Sequence, residues 1–261
     1  MSASIKNKKK ILLIGKNSNS TRILYNYLKQ NHSINVIIES SSDPLNTIYR
    51  KFKLFGFIYT VGYIPFLIFS KFYLKFYSKN RINEILSSNG LHDIKIPEEK
   101  IYHTKSINSD HCRNIIKNLK PNFVLVSGTK IVGKKTLEIK SVKFINIHAG
   151  ITPDYRGVHG AYWALVNNDK NFCGVTLHFL DSGVDTGNII AQNLINVEKN
   201  DNFSTYPFIQ LVSGIKLLEN FLNNGQLRNN TNVITDYKKS KQYTHPTICN
   251  YLYNYIFKGV K

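Results

Sequence analysis

The chain has 261 residues, of which 42% are hydrophobic, and it carries 35 Lys and Arg against 16 Asp and Glu, a formal net charge of +19. This length allows one sizeable hydrophobic core and excludes a wholly disordered chain, while the charge predicts an anionic partner such as nucleic acid, acidic lipid or a phosphorylated metabolite. The three cysteines lack metal-ligand spacing, which argues against a disulfide scaffold or a zinc site and favours a reducing cytoplasm.

The first predicted elements form a β-loop-α-β unit, the opening of a doubly wound α/β sheet. The apolar run of its first strand is far too short for a signal peptide. Its loop has one glycine where a dinucleotide-binding loop needs three, which excludes NAD, although backbone N–H groups there could hold a phosphate. The predicted elements are a strand at Ile11–Gly15, a helix at Thr21–Gln30 capped by Ser20, and a strand at Val36–Ile38.

Residues 44–83, called the aromatic segment below, contain no Asp or Glu and 12 of the chain's 32 aromatic residues. The uncharged run between Lys53 and Lys71 is borderline in length for a bilayer span and is interrupted by glycine and proline. We therefore expect two amphipathic helices that break near Gly62 or Pro65 and cover the domain's own core. Contact with an anionic membrane surface and contact with nucleic acid are the alternatives.

Strands and helices alternate again after the aromatic segment. Amphipathic stretches predict helices here, and short runs of β-branched residues predict strands. One predicted helix is capped by Ser109 and ends near Leu119. The other predicted helices span His159–Val166, Phe203–Asn223 and Ile248–Phe257. The predicted strands are Phe123–Val126, Phe144–His148, Gly174–Leu180 and Asn188–Val197.

Asn146 and His148 lie two positions apart on a predicted strand. Side chains at this spacing point to the same face, and this end of the strand is where open α/β sheets place their ligands. An amide donor beside an imidazole can stabilise an oxyanion and handle its proton. The Gly-rich loop from Asp181 to Gly187 is a turn by composition, yet either of its carboxylates could orient the histidine.

Several short motifs follow one another along the chain: Asn146-Ile-His148, a loop ending at Pro153, Tyr155-Arg156-Gly157, Tyr162-Trp163-Ala164-Leu165, Gly174-Val-Thr-Leu-His178 and Asp185-Thr-Gly187. Their order and spacing resemble those of the folate-dependent formyltransferases, which act on glycinamide ribonucleotide, methionyl-tRNA or amino sugars. The resemblance extends from about Phe123 to Gln192, and it is closest in character to the sugar N-formyltransferases. It implies a Rossmann-like, doubly wound and mostly parallel sheet.

The resemblance also assigns roles to individual residues. It implies 10-formyltetrahydrofolate as the formyl donor, with no metal, and Asn146, His148 and Asp185 as the catalytic residues. In the implied reaction an amine attacks the formyl carbon, Asn146 and His148 donate to the oxyanion, and Asp185 holds the imidazole. The expected folate-binding residues are Ser127, Gly128, Thr129, Lys130, Ile131, Asp181, Gly183 and Val184. The expected acceptor-binding residues are Tyr155, Arg156, Gly157 and Trp163.

The acceptor is expected to be a nucleotide-linked amino sugar, because its phosphates suit the basic chain and the motif at Tyr162–Leu165 resembles the sugar enzymes. Lys16–Asn19 keeps little of the phosphate loop of the glycinamide ribonucleotide enzyme, which is an alternative. The tRNA enzyme is another, although some sixty residues after the core are too few for its C-terminal barrel. The pair Ala149–Gly150 departs from the family's usual loop and leaves acceptor contacts open.

The predicted organisation is a catalytic domain over residues 1–200, which includes the aromatic segment, and a helical extension over residues 201–261. A cytoplasmic enzyme is expected, with peripheral contact at the inner membrane surface through residues 44–83 and a homodimer as further expectations. A membrane-surface or RNA-binding protein on the same scaffold is the non-enzymatic alternative.

Overall fold

The computed structural model describes residues 8–41, 43–225 and 240–261. Residues 1–7 of the predicted domain and residues 226–239 of the predicted extension lie outside the described residues. The strands are β1 Lys10–Gly15, β2 Ser33–Glu39, β3 Ile101–Thr104, β4 Phe123–Ser127, β5 Lys143–His148, β6 Tyr155–Gly157, β7 Gly174–Phe179, β8 Ile189–Leu194 and β9 Lys241–Tyr243. The helices are α1 Asn19–Leu28, α2 Pro44–Ile68, α3 Lys75–Tyr77, α4 Lys79–Ser87, α5 Asp110–Leu119, α6 Lys134–Leu137, α7 Gly160–Val166, α8 Tyr206–Asn224 and α9 Ile248–Lys258.

A seven-stranded sheet in the order β3-β2-β1-β4-β5-β7-β8 forms the centre of the molecule. The pairs from β3 to β5 are parallel, whereas β7 runs antiparallel to both β5 and β8. The first strands are continuous apolar runs because helices cover both of their faces. The predicted α/β fold with a mostly parallel sheet is confirmed.

Apolar side chains fill both faces of the sheet. One cluster joins β1, β2 and β4 to α1, α4 and α8, and it includes Leu24, Ile85 and Leu218. A second cluster lies beneath α5 on the opposite face and includes Ile116 and Val124. Helix α8 thus packs on the sheet, although the predicted division of the chain at residue 200 stays a prediction. The first helix is capped by Ser18, whose hydroxyl accepts from the Thr21 N–H, and the cap predicted at Ser20 is wrong.

A third cluster lies beside the sheet, beneath α7 and α9, and the inner side of the aromatic segment packs into it. The segment is helical over nearly all of its length, continuing from α2 through a π-helical turn at Phe69–Leu74 into α3 and α4. The predicted break at Gly62 or Pro65 is wrong, since the backbone departs from helical geometry at Gly56 (φ 82°, ψ 179°). Positive φ suits glycine, which explains the break there. A Cβ at Gly62 would instead approach the Thr247 Cβ to 2.8 Å, so this glycine lets α2 pack closely on the chain.

Most of the outer side of the aromatic segment is exposed. Within α2 only Thr60, Tyr63 and Phe66 are buried. The expectation that the segment covers the core is therefore correct only for its inner side.

Candidate active site

Asn146 and His148 lie at the carboxyl end of β5, on one face of the strand as predicted. The neighbouring strand β7 places Asn146 opposite His178 and His148 opposite Thr176. The side chains of His148 and His178 are 4% and 3% exposed, and their rings meet edge to face at 6.3 Å. Two imidazoles and an amide are therefore gathered in one nearly buried position.

The His148 ring is held between two oxygen atoms. Its Nε2 lies 2.8 Å from the Tyr155 carbonyl oxygen, and its Nδ1 lies 3.3 Å from Asp185 Oδ1. Burial lowers the pKa of the His148 imidazole from its ordinary value, and the Asp185 carboxylate offsets part of this effect. Gly150 is needed for this arrangement because a Cβ there would lie 2.3 Å from the Tyr155 oxygen and 2.7 Å from His148 Nε2.

Asp185 is the centre of the charge pattern in the site. Its Oδ2 accepts from the Gly157 N–H at 2.9 Å, while its Oδ1 lies 3.7 Å from His178 Nε2. Burial acts to raise its pKa, but the nearby imidazoles of His178 and His148 and the Gly157 N–H outweigh burial, so the pKa lies below the ordinary value. The residue has a positive φ of 54°, a left-handed conformation that aspartate tolerates better than most residues.

His178 belongs to the site although it was not among the predicted catalytic residues. Its Nδ1 donates to the Phe179 carbonyl at 2.8 Å, which leaves Nε2 as the acceptor in the neutral ring. Asn146 Nδ2 lies 3.2 Å from that Nε2 and can donate to it with one N–H, which leaves the other free. The signal was available, because the period of two on β7 places Thr176 and His178 on one face.

A cavity of about 300 Å³ opens beside these side chains. It lies between the loop after β4 and the loop between β7 and β8, where the resemblance placed the folate. The predicted site residues that line it are Gly128, Thr129, Lys130, Ile131, Asn146, His148, Gly157, Asp181, Gly183, Val184 and Asp185. The structure thus brings all three predicted catalytic residues together with most of the predicted folate-binding residues.

Four predicted residues do not line this cavity. The Ser127 hydroxyl turns to Ser20 Oγ at 3.3 Å, towards the first loop. The Tyr155 ring is buried against Tyr243, with centroids 5.1 Å apart, and Trp163 donates its indole N–H to the Thr244 carbonyl. Arg156 reaches back to the Val184 carbonyl at 3.4 Å. Tyr155, Arg156 and Trp163 were expected to bind the acceptor, and their side chains do not line this cavity.

Glu39, at the end of β2, organises the loop after β4. The side chain is 1% exposed, and its two oxygens accept from the Ile107 N–H and the Lys130 N–H, both at 2.9 Å. Sequence reasoning missed this residue. An acidic residue directly after the apolar run Val36–Ile38 was the available sign, because a buried carboxylate needs partners.

Within the described ranges, no group of three or more His, Cys, Asp or Glu side chains is arranged to hold a metal ion. The donor set around His148 consists of an amide, two imidazoles and the Asp185 carboxylate, and their atoms are largely engaged with one another. This arrangement suits hydrogen bonding and proton transfer.

Comparison with known proteins gives a family match for part of the chain. A family described as Formyl transferase matches residues 79–207, a range that includes the site and excludes most of the aromatic segment. The methionyl-tRNA formyltransferase of Thermodesulfovibrio yellowstonii is 39% identical over 104 residues, which are 40% of this chain and 33% of that protein. That of Halothermothrix orenii is 36% identical over 107 residues, 41% of this chain and 34% of that protein. The chain spans about a third of the length of these curated relatives.

Solved structures share the fold. A sugar N-formyltransferase from Shewanella superposes with a TM-score of 0.53 at 14% identity, covering 90% of this chain and 76% of that one. The glycinamide ribonucleotide transformylase 1 of Symbiobacterium toebii gives 0.51 at 15% identity, covering 82% and 86%. At these identities the likeness is one of fold. The family match, the curated relatives and the shared fold agree, and residues 79–207 of the chain match the Formyl transferase family.

Proposed function

We propose that this protein transfers a formyl group from 10-formyltetrahydrofolate to a primary amine, most suitably that of a nucleotide-linked amino sugar. The observation that carries the proposal is the cluster of Asn146, His148 and Asp185 at the wall of the cavity. In the reaction, the amine nitrogen bonds to the formyl carbon and the bond from that carbon to the folate nitrogen breaks. One proton passes from the amine to the folate nitrogen.

Asn146 is the oxyanion donor that the geometry supports best. His178 Nε2 can take one N–H of the Asn146 amide and thereby orient the side chain. The second N–H remains for the oxygen that becomes charged in the tetrahedral intermediate. A donor fixed before the reaction costs no reorganisation when the charge develops, which is the main source of such stabilisation. His178 is therefore a positioning residue for Asn146.

His148 and Asp185 form the proton-handling pair. Both His148 nitrogens face oxygen atoms, so the ring can donate to an oxyanion only by exchanging the Tyr155 carbonyl or the Asp185 carboxylate for it. Asp185 favours the protonated imidazole that would form when the ring takes up the amine proton. The Gly157 N–H holds the other carboxylate oxygen and so keeps Asp185 in place.

The donor is proposed to lie between the residues Gly128–Val132 and the loop Asp181–Asp185, which both contribute to the walls of the cavity. Glu39 fixes the first wall through the Lys130 N–H. In the second wall, Asp181 accepts from the Gly183 N–H at 3.0 Å and from the Thr186 hydroxyl at 2.7 Å. Both walls therefore offer backbone groups held in place by side chains, as the binding of a flat heterocycle requires.

Two sets of observations bear on the acceptor. The formal charge of +19 suits a phosphorylated acceptor, and the Shewanella protein that shares the fold is a sugar N-formyltransferase. The second candidate is methionyl-tRNA, because the curated relatives with 39% and 36% identity carry that name and RNA is also polyanionic. Glycinamide ribonucleotide is a third acceptor, by the name of the Symbiobacterium protein.

The test is incubation of the purified protein with 10-formyltetrahydrofolate and a panel of nucleotide-linked amino sugars, glycinamide ribonucleotide and methionyl-tRNA. Formylation is detected by mass spectrometry as the gain of one CO in the acceptor. We expect gain on an amino sugar, and formylation slowed on the order of a hundredfold with Asn146→Ala. Gain only on methionyl-tRNA or glycinamide ribonucleotide would reverse the choice of acceptor, and gain on none of them would contradict the function.

A further inference from the structure

A broad apolar surface follows the outer side of the aromatic segment. The most exposed large side chains are Ile58 at 89% and Phe76 at 82%. Leu54, Phe57, Phe72 and Tyr77 are each more than two-thirds exposed. Apolar patches of this size on a protein surface mark a site that something else covers, because leaving them in water is costly.

The inner side of the same segment is fixed to the domain. Phe66 is fully buried and meets Phe203 edge to face at 5.0 Å, while Tyr63 packs on His245 at 5.5 Å. The Tyr59 hydroxyl donates to the His245 carbonyl at 2.8 Å. The segment Pro44–Tyr77 has the length and apolar composition of a membrane span. These contacts pack its inner side along the domain, which favours an orientation in the plane of a bilayer over a crossing of it.

Helix α9 extends the apolar surface beside α2. The two helices are in contact, and Phe66 and Tyr251 pack together with ring centroids 5.5 Å apart. On its outer side α9 exposes Tyr253, Ile256 and Phe257, at 56% to 71%. Two neighbouring helices from distant parts of the chain therefore both expose large apolar side chains.

The positive charges beside this apolar surface indicate the kind of partner that would cover it. Lys71, Lys75 and Lys79 are exposed and four residues apart, so they line one side of the helix. They border a groove of about 370 Å³ together with Phe72 and Phe76. Asp93 also borders it, but that carboxylate is paired with Arg22. In the described part of the chain no ion pair forms with these three lysines. Cations beside exposed aromatic rings are typical of helices that bind anionic lipid.

We propose that the outer side of the aromatic segment and of α9 binds flat to an anionic lipid bilayer, with the apolar side chains in the interface and the three lysines at the headgroups. A second copy of the chain fits the surface less well, since residues 44–83 contain no acidic partner for the other copy's cations. This proposal is independent of the acceptor.

The test is co-sedimentation of the full chain with phosphatidylcholine vesicles, with and without phosphatidylglycerol. We expect pelleting with the anionic vesicles, weakened at high salt. Lys71→Ala/Lys75→Ala/Lys79→Ala should lower the partition coefficient roughly a hundredfold, because each lysine near an anionic surface is worth about fivefold. Phe57→Ser/Ile58→Ser should also reduce binding, because burial of these side chains contributes to it.

Matched variants separate this surface from general charge and apolarity. Lys117→Ala/Lys135→Ala/Lys140→Ala removes the same charge from exposed positions elsewhere, and it should bind nearly as wild type. Ile94→Ser is the apolar control. Equal pelleting of the two lysine variants would overturn the proposal. So would retention on the vesicles in alkaline carbonate, which indicates a span, or a dimer lost in Phe57→Ser/Ile58→Ser without vesicle binding, which indicates a second copy.

Discussion

The polar side chains at the cavity find partners within the chain, whereas many apolar side chains of the aromatic segment are not covered by it. At the cavity, the side chains around His148 are largely buried and engage one another, as Asp185 is engaged by His148 and by the Gly157 N–H. Along the aromatic segment, large apolar side chains such as Ile58 face outwards, and Lys71 and Lys75 have no acidic neighbour within the segment. The cavity therefore needs only small ligands to complete its contacts, whereas the aromatic segment needs a large surface to cover its apolar side chains.

Replacing His148 by Ala should have the largest effect in the molecule. We expect turnover with 10-formyltetrahydrofolate and the accepted amine to fall on the order of a thousandfold, because oxyanion stabilisation and proton transfer both depend on this ring. Asn146→Ala should cost on the order of a hundredfold for loss of one donor. Steady-state kinetics measure both effects.

His103→Ala is the matched control for His148→Ala, since His103 is an exposed histidine whose ring contacts Glu98. It should keep wild-type turnover. Near wild-type rates in both Asn146→Ala and His148→Ala, with the fold intact by circular dichroism, would contradict the proposed roles.

The central sheet was predictable because its strands follow simple rules. Ile11–Ile14 and Val124–Val126 are apolar because they are covered on both faces, and such runs declare themselves in the sequence. The kink of α2 was placed wrongly because both Gly56 and Gly62 look like helix breakers. Gly62 instead serves close packing against Thr247, and a contact with a residue so distant in the chain has no local signature.

The candidate site was predictable to the extent that it depends on one strand. Asn146 and His148 lie two apart on β5, so their common face follows from strand geometry. His178 and Glu39 join the site through pairing of β7 with β5 and through the loop after β4, both of which are tertiary contacts. Tyr155 and Trp163 were expected to contact the acceptor, and both rings stack on Tyr243. Tyr243 lies on β9, and the pairing of β9 with β6 is a tertiary contact that could not be predicted from the sequence.

The two sides of α2 should respond very differently to truncation. Phe66→Ala removes a fully buried ring that packs on Phe203 and Tyr251, and it should lower the free energy of unfolding by about 3 to 4 kcal/mol. Phe57→Ala, at a 68% exposed position on the same helix, should change it by no more than about 0.5 kcal/mol. Urea unfolding in the absence of lipid measures both, and equal losses would show that the outer side is covered in solution.

Low pH should weaken the contact between His159 and His245, against which Tyr63 of the aromatic segment packs. His159 Nε2 lies 2.9 Å from His245 Nδ1, so one ring donates and the other accepts in the neutral pair. Burial, with the charge of Lys51 adding to it, lowers the pKa of His245 to about 4, and burial also lowers the pKa of His159. Because the folded pKa lies below the ordinary value of 6.5, this stability is present above pH 6.5 and is lost as the pH falls towards 4.

We expect this loss to be on the order of 2 kcal/mol between pH 7 and pH 4, measured by urea unfolding at several pH values. His245→Asn keeps a polar atom beside His159 and removes one titrating group, so its unfolding free energy should depend less on pH over this range. An unchanged pH dependence in His245→Asn would assign the acid sensitivity to other groups. The exposed His103→Ala variant should retain the wild-type dependence.

Glu39→Gln should give the smallest effect, and it tests whether the wall of the cavity is held from behind. The carboxylate accepts from both the Ile107 N–H and the Lys130 N–H, whereas a Gln amide accepts with one atom and turns N–H groups towards the other donor. Loosening of residues 128–132 should raise KM for the folate about tenfold with a smaller change in kcat. Glu138→Gln, at an exposed carboxylate near Lys134, is the matched control and should leave both constants unchanged. A fall in kcat at constant KM would instead connect Glu39 to the chemical step, and equal behaviour of the two variants would remove its proposed role at the wall.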